Sequence, residues 1–312
     1  MTQRPPVLLV DAPSLYFRAY FGIPESAARA GDGSPVNAVR GFLDMIATLV
    51  RTRRPDRLVC ALDYDWRPAW RVELLPSYKA HRLARAGGEA VPDTEVVPDT
   101  LVPQVPLILT ALELVGIPAL GSDGYEADDV LGTLATSQPG PVEVVSGDRD
   151  LFQLVDDAKP VRLLYCGRGI AKLEDCDGAA VLDRYGVPPQ GYADFAALRG
   201  DPSDGLPGVP GVGAKTAARL IDRYGGLAAL LAALDDPAAG FAPGLRGRLV
   251  AARDYLAVAP TVVRVARDAP LPRFDPALPA APADPDGLLA FAEKWNLAGP
   301  CRRLVDALAE RS

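Results

Sequence analysis

The sequence Val7-Leu8-Leu9-Val10-Asp11 is a short, continuous apolar run that ends in an acidic residue, and such a run is typical of a strand buried on both faces. The same pattern returns over residues 57–62 and 142–146. Helical patterns over 36–50 and 102–115 separate the three runs. This alternation predicts an α/β fold with a mostly parallel central sheet flanked by helices.

Acidic residues follow each of the three predicted strands. In open parallel sheets, ligands bind beyond the carboxyl ends of the strands. Asp11, Asp63 and Asp148 are therefore predicted to share one crevice, with Asp150 nearby. A single aspartate after a strand is usually a helix cap or turn residue, but three in one sheet indicate a common site.

A further acidic cluster, Gly124-Tyr125-Glu126-Ala127-Asp128-Asp129, precedes an apolar helical run. A helix N-terminus stabilises one exposed acid by only ~0.3 to 1 kcal/mol. Three carboxylates within four positions are therefore either a solvated helix start or part of a site that binds a cation. The acids at the strand ends favour the second interpretation.

The composition suits a globular protein with one large or two moderate domains: 312 residues, 49% hydrophobic and 23% charged. Because no apolar run resembles a signal peptide or a membrane span, we expect a cytoplasmic protein without a membrane partner. The net charge of −7 alone argues against a nucleic-acid partner, but two bound divalent cations would bring it to −3. The cysteines form no CxxC pair and are predicted to be free thiols: Cys60, Cys166, Cys176 and Cys301.

The segment from about 67 to 98 interrupts the α/β pattern. Its basic and aromatic residues alternate, and they include Trp70, Tyr78, Lys79 and Arg82. Such interleaving suits single-stranded nucleic acid, whose bases stack while its phosphates pair with cations. A solvated amphipathic helix is the alternative, but a long insertion between sheet elements is commonly a functional lid.

Beyond residue 175 the pattern becomes helical, and the segment 206–217 reads as a tight hairpin that opens a helix. Its glycines would let the backbone approach a phosphate, which the N–H groups of the helix start would hold. Lys215, Arg219 and Arg223 recur every four residues and form one basic stripe. This pattern predicts sequence-independent binding to the backbone of duplex DNA, with a solvated basic face as the alternative. The segment 261–265 is predicted to be an edge strand, and 270–285 a proline-rich linker.

Together these motifs resemble the 5′ nuclease or flap endonuclease family, and most closely the 5′-3′ exonuclease domain of bacterial DNA polymerase I. The motifs are Asp11, Asp63, Tyr-Lys-Ala-His-Arg from 78, Gly-Tyr-Glu-Ala-Asp-Asp from 124, Gly-Asp-Arg-Asp from 147, Gly-Asp-Pro-Ser-Asp from 200, and the hairpin. The resemblance spans the sequence, and since no polymerase region follows, we expect a free-standing nuclease.

The resemblance implies a PIN-like α/β nuclease domain over 1–174 with an arch insertion at about 67–98. It also implies a helical helix-hairpin-helix (H3TH) DNA-binding subdomain over 175–260 and a C-terminal segment, 261–312, that packs back on the nuclease domain. One departure is Gly205, which stands where the family usually has asparagine and could loosen the turn that presents Asp204.

The resemblance also assigns roles to individual residues. It implies a metal-binding set of Asp11, Asp63, Glu126, Asp128, Asp129, Asp148, Asp150, Asp201 and Asp204. Among these, Asp11, Glu126, Asp128, Asp148 and Asp150 are expected nearest the metals. Lys79 and Arg82 are the implied catalytic side chains. The expected DNA-binding set is Arg18, Tyr78, Lys79, Arg82, Gly208, Gly211, Gly213, Lys215, Thr216 and Arg219.

The expected function is that of a structure-specific 5′ nuclease, acting as flap endonuclease and 5′-3′ exonuclease in DNA replication and repair. Two divalent cations, Mg²⁺ or Mn²⁺, would activate water and stabilise the leaving oxygen, giving 5′-phosphate ends. A K⁺ ion at the hairpin is a further candidate cofactor. The expected partner is DNA with a 5′ flap, nick or gap, and DNA polymerase I and DNA ligase are candidate protein partners of a monomer.

Two other functions compete with this one. A catalytically silent DNA-junction binder would use the same hairpin, but the retained acids count against it. A phosphatase of the haloacid dehalogenase type would use Asp11 as nucleophile, yet it needs a second aspartate where Pro13 stands.

Overall fold

A computed structural model describes residues 5–86 and 89–311. The strands are β1 Val7–Asp11, β2 Arg57–Ala61, β3 Leu83–Ala86, β4 Glu89–Glu95, β5 Ala119–Leu120, β6 Val142–Ser146, β7 Val161–Tyr165 and β8 Glu174–Cys176. Strand β1 lies inside a six-stranded sheet of order β5-β2-β1-β6-β7-β8, and β3 and β4 form a two-stranded sheet. All pairings in the large sheet are parallel except that of β7 with β8.

Helices cover both faces of the large sheet and form most of the C-terminal half. They are α1 Ala12–Gly22, α2 Asn37–Arg53, α3 Ala69–Leu74, α4 Gln104–Val115, α5 Ala127–Ser137, α6 Gly178–Tyr185, α7 Tyr192–Arg199, α8 Ala214–Tyr224, α9 Leu227–Ala233, α10 Pro243–Ala251, α11 Arg253–Val263, α12 Pro285–Lys294 and α13 Ala298–Arg311. The predicted α/β fold with a mostly parallel sheet is confirmed.

Strand β1 shows why its sequence is apolar throughout. Val7 and Leu9 pack in a core shared with α5 and the helices that follow β8, whereas Leu8 and Val10 pack in a second core against α2 and α13. Side chains alternate between the two faces of a strand, so a strand covered on both faces needs apolar residues at every position.

The C-terminal helices lie on the sheet domain. Helix α13 packs along α2, and α12 packs against α4. The predicted edge strand over 261–265 is wrong, because 261–263 close α11 despite their β-branched side chains. Val262 and Val263 are buried there, and their carbonyls accept hydrogen bonds from Arg71 and Gln153. Tertiary contacts thus override the local preference for strand.

The inserted segment contains the short helix α3 and the antiparallel pair β3–β4, and residues 87–88 between these strands lie outside the described residues. Within the described ranges, no helix is both long and apolar enough to cross a membrane. The four cysteines are free, as predicted, and all four are buried.

Candidate active site

Strand β1 lies between β2 on one side and β6 on the other. The chain adds β2 on one side of β1 and later adds β6 on the opposite side, so the strand order changes direction at β1. Such a switch point opens a crevice beyond the carboxyl ends of the strands. A cavity of about 260 Å³ lies there. Its lining residues are Asp11, Pro13, Ser14, Phe17, Arg18, Asp63, Trp66, Lys79, Arg82, Glu95, Glu126, Ala127, Asp128, Gly147 and Asp148.

Asp11 ends β1 and caps α1. Its Oδ1 accepts from the backbone N–H of Ser14 at 3.0 Å, and its Oδ2 accepts from the hydroxyl of Ser146 at 2.5 Å. Burial raises its pKa to about 6, and nearby Asp148 adds to the effect. The side chain is therefore fixed in place, while its negative charge lacks full compensation.

The acids that follow β2 and β6 are also held by backbone donors. Oδ1 of Asp63 accepts from the N–H of Ala127 at 2.7 Å, and Oδ1 of Asp148 accepts from the N–H of Asp150 at 2.8 Å. At the start of α5, burial and the charges of Asp148 and Asp11 raise the pKa of Asp128 well above its usual value. The loops thus aim these carboxylates at one space despite their mutual repulsion.

Glu126 receives side-chain donors from the base of the inserted segment. Its Oε2 accepts from the Tyr78 hydroxyl at 2.8 Å and from Arg71 at 3.0 Å, and its Oε1 accepts from the ammonium group of Lys79. Burial lowers the pKa of Lys79, but Glu126 and other nearby acids raise it further, so the net shift is well upward. Lys79 is therefore protonated where it enters the cavity.

Asp129 does not line the cavity. It is fully buried, and both its oxygens accept from the guanidinium of Arg71 at 2.7 Å. Its oxygens also accept from the backbone N–H groups of Glu126 and Ala266. Asp129 thus holds the start of α5 and Arg71 with its two oxygens, and the expectation that it binds metal stays a prediction.

Asp150, Asp201 and Asp204 lie beside the cavity rather than on its lining. Burial and the charges of Asp148, Asp204 and Asp201 raise the pKa of Asp150 well above its usual value. Asp201 pairs with Arg199 at 2.8 Å, and Asp204 pairs with Arg82 at 3.3 Å. Of the five acids expected nearest the metals, Asp150 does not line the cavity. Asp63, which was expected only in the wider metal-binding set, does line it.

The turn that carries Asp204 is bound to the inserted segment. The Ser77 hydroxyl donates to the carbonyl of Gly205 at 2.8 Å, and the N–H of Lys79 donates to the carbonyl of Asp204 at 3.0 Å. Gly205 has φ +72°, and a Cβ there would lie 2.0 Å from the carbonyl oxygen of Ser77. Glycine therefore lets this turn pack tightly, contrary to the expectation that it would loosen it.

Basic side chains line the other side of the cavity. Arg82 donates to the carbonyl of Ser203 at 2.8 Å. Arg18 donates to the carbonyl of Gly167 at 3.4 Å and also interacts with the thiol of Cys166, while its buried Nε has no hydrogen-bond partner among the described residues. A guanidinium with an unused N–H donor is suited to binding an anionic ligand.

Among the lining side chains, Phe17 and Glu95 were not expected at the site, whereas Trp66 belongs to the basic and aromatic sequence that was predicted to contact nucleic acid. Phe17 could have been found, because it shares the face of α1 that carries Ser14, three positions earlier. Glu95 carries no local signal, since the folding of the β3–β4 hairpin brings it to the cavity.

The hairpin before α8 has the expected turn geometry at two of its three glycines. Gly208 and Gly211 have φ +67° and +73°, whereas Gly213 is the N-cap of α8 with φ −88°. A Cβ at Gly211 would lie 3.5 Å from Nε of Arg248, a basic neighbour that the sequence did not indicate.

The three basic side chains of α8 are all exposed. Lys215 and Arg219 line one groove with Arg184, and Thr216 is half-buried in the first turn. Arg223 lines an adjoining groove with Thr216 and Arg219, and it also donates to the carbonyl of Ala239 at 2.9 Å. The predicted stripe is therefore present on the surface, although one N–H of Arg223 is already in use.

The chemistry of the cavity fits hard divalent cations, which prefer oxygen ligands. Six acidic and three basic side chains line it, which leaves a formal excess of three negative charges. Within residues 5–86 and 89–311, however, no group of three acidic, thiol or imidazole side chains has the spacing of a preformed metal site. The carboxylates would therefore bind ions after small side-chain movements or through water, as Mg²⁺ sites commonly do.

Comparisons with known proteins agree with this architecture. Residues 6–186 match the family model for the 5′-3′ exonuclease N-terminal resolvase-like domain, and residues 187–286 match that for the 5′-3′ exonuclease C-terminal SAM fold. A 5′-3′ exonuclease of Streptomyces coelicolor is 57% identical over 96% of this chain and 99% of its own. One from Mycobacterium tuberculosis is 51% identical over 98% of both.

Solved structures of similar fold include a T5 5′-exonuclease with bound zinc and human GEN1 in complex with Holliday junction DNA. The first has a TM-score of 0.64 at 18% identity and covers 98% of both chains. The second has a TM-score of 0.63 at 17% identity and covers 99% of this chain and 72% of its own. The fold, the family models over both halves and the relatives above half identity agree: the chain belongs to the 5′-3′ exonuclease family.

Proposed function

We propose that this exonuclease hydrolyses phosphodiesters in branched, nicked or gapped DNA as a divalent-metal-dependent 5′ nuclease with two metal ions, leaving 5′-phosphate ends. The observation that carries the proposal is the cavity at the sheet switch point, where Asp11, Asp63, Glu126, Asp128 and Asp148 meet Lys79, Arg82 and Arg18. Divalent cations held by these carboxylates would activate water and stabilise the departing oxygen.

The protein's own residues supply the positioning. Arg18, with its unpaired Nε, receives a phosphate oxygen, and Lys79 places a positive charge where negative charge develops in the transition state. Arg82 directs the 5′ strand from the base of the inserted segment. Asp150, Asp201 and Asp204 lie beside the cavity and act on the ions through water.

Duplex DNA binds at the hairpin before α8. The positive φ of Gly208 and Gly211 lets the backbone approach a phosphate, and Lys215 and Arg219 neutralise its neighbours. These contacts carry no base information, so binding depends on DNA shape rather than sequence. A K⁺ ion at the hairpin, and DNA polymerase I and DNA ligase as partners in replication and repair, belong to the same proposal.

The test is incubation with a 5′-labelled flap, a nicked duplex and an intact duplex of one sequence, in Mg²⁺, Mn²⁺ or EDTA. We expect cleavage near the junction of the flap and at the nick, in metal only, with product ends that carry a 5′ phosphate. Binding to the flap without cleavage in either metal would instead identify a silent junction binder. Release of inorganic phosphate from a small ester would identify a phosphatase.

A further inference from the structure

Arg71 of α3 is a buried cation close to the acidic cavity. It is 2% exposed, and each of its five N–H groups has an acceptor. Nε donates to the carbonyl of Val262 at 2.9 Å, Nη1 to Glu126 at 3.0 Å and Asp129 at 2.7 Å, and Nη2 to Asp129 at 2.7 Å and the carbonyl of Arg264 at 3.3 Å. Because a buried guanidinium is tolerated only when fully paired, this geometry fixes α3 against both α5 and α11.

The carbonyls that Arg71 contacts belong to the end of α11, where the last C=O groups lack partners within the helix. A cation is favoured at this end of a helix. The Arg71 guanidinium also lies 4.2 Å from the ring centroid of Trp70. These contacts hold its position independently of the acids, so Arg71 can serve as a fixed point against which an acidic side chain is oriented.

The acidic side chain oriented in this way is that of Glu126. Its Oε2 accepts from Arg71 and from Tyr78, while its Oε1 accepts from Lys79. Asp129 forms a bidentate salt bridge with Arg71, so the charges of these two side chains cancel. The charge of Glu126 therefore remains directed toward the cavity.

We propose that Arg71 is a positioning residue that, with Tyr78, holds Oε2 of Glu126 so that Oε1 is the oxygen left to bind a divalent cation. This inference rests on the proposed function, because it assumes that Glu126 is a metal ligand. Glutamate side chains lose substantial rotamer freedom on ordering. Arg71 removes that freedom before the ion arrives, and so increases the affinity for the ion.

The test measures Mn²⁺ binding calorimetrically, without DNA, for the full-length protein and for Arg71→Lys. Lysine keeps the charge but cannot reach two carboxylates and two carbonyls together. We expect Mn²⁺ affinity to fall about three- to tenfold. Arg53→Lys is the matched control, since it alters a part-buried ion pair with Glu143 that does not line the cavity, and we expect its affinity to be unchanged.

A double-mutant cycle separates positioning from a general structural effect. In the Glu126→Gln background, Arg71→Lys should produce no further loss of Mn²⁺ affinity. An equal loss in that background would overturn the proposal, as would full affinity in folded Arg71→Lys. If Arg71→Lys does not fold, Tyr78→Phe removes the other donor to Oε2 and should weaken Mn²⁺ binding in the same Glu126-dependent way. Absence of Mn²⁺ binding by the wild-type protein would refute the proposed function itself.

Discussion

Lys79 pairs its ammonium group with Oε1 of Glu126 while its backbone is in the left-handed conformation, with φ +47°. That backbone is fixed by its N–H donating to the carbonyl of Asp204. One residue thus connects the acidic cavity, the inserted segment and the turn that precedes the helical hairpin. The contact places a lysine of the cavity lining beside a carboxylate that is expected to exchange it for a metal ion.

Replacing Lys79 with alanine should slow cleavage of a 5′ flap by about 10²- to 10³-fold, the usual effect of removing one group that stabilises developing charge. Duplex affinity should change less than threefold, because the Lys79 side chain faces the acidic cavity and does not line the groove of Lys215 and Arg219. Single-turnover cleavage and fluorescence anisotropy measure the two quantities. Lys172→Ala, at an exposed lysine off the cavity, should leave both unchanged. A wild-type cleavage rate for Lys79→Ala would exclude a catalytic role.

Asp148→Ala should abolish cleavage in Mg²⁺ and in Mn²⁺, because it removes the carboxylate at the end of β6 from the cavity. Duplex binding should stay the same or become tighter, since one source of repulsion toward DNA is lost. Asp183→Ala makes the same charge change at an exposed site on α6 and should retain activity. Full activity of Asp148→Ala would rule out the two-metal mechanism.

The shared location of the acids at the strand ends could be predicted because it follows from two features that are visible in the sequence. A short apolar run marks a buried strand, and the parallel arrangement brings the ends of such strands together. Asp11, Asp63 and Asp148 accordingly line one cavity. The mostly parallel sheet followed from the alternation of strands and helices, whereas the order of its six strands was not predicted.

The role of Asp129 could not be predicted, because it depends on Arg71, which lies 58 positions earlier in the chain. Its neighbour Asp128 has the same local sequence signal yet lines the cavity. Which side chain at the helix start faces the cavity and which contacts a buried guanidinium is decided by long-range packing. The same holds for the end of α11, where β-branched residues suggested a strand.

The double variant Lys215→Ala with Arg219→Ala should weaken binding to every duplex sequence alike. Each lost phosphate contact lowers the dependence of log K on log salt by about 0.9, so the slope should fall by about 1.8. Titrations from low to high NaCl with two unrelated duplexes measure it. Lys294→Ala with Arg302→Ala, on α12 and α13, removes the same charge and is the control. A loss confined to one duplex sequence, or an equal loss in the control, would contradict backbone recognition at the hairpin.

Asp11→Asn should stabilise the protein in EDTA. Burial raises the pKa of Asp11 from 3.8 to about 6, so the folded state binds a proton that the unfolded state has released between these values. The free energy of unfolding therefore falls as pH rises from about 4 to 6. Above pH 6 it is lower by the full amount, up to about 3 kcal/mol. Asparagine removes this pH dependence, and thermal unfolding at pH 4.5 and pH 8 measures it.

Added Mn²⁺ should reverse the order at pH 8, because an ion stabilises the ionised wild-type carboxylate by mass action and gains less from the variant. The melting temperatures of both proteins with and without Mn²⁺ test this. A variant less stable than wild type in EDTA at pH 8 would show that Asp11 is not strained by its burial.

Gly205→Asn, which introduces the residue usual in the resembled family, should damage this protein. The position has φ +72°, and a Cβ would meet the carbonyl oxygen of Ser77 at 2.0 Å, so the turn or the base of the inserted segment must move. Such movement displaces Lys79, whose N–H is bound to the same turn. We expect a loss of stability of about 1 to 3 kcal/mol and a cleavage rate at least tenfold lower.

Urea unfolding and single-turnover cleavage measure the two effects of Gly205→Asn, and Gly205→Ala should behave alike because the clash begins at Cβ. Gly247→Ala provides the control, since no atom lies within 4 Å of a Cβ there and its backbone is helical. Alanine at that helical position should be neutral or slightly stabilising. A Gly205→Asn variant as active and stable as wild type would mean that the inserted segment accommodates the side chain by a shift that leaves Lys79 in place. The turn would then not be what positions Lys79.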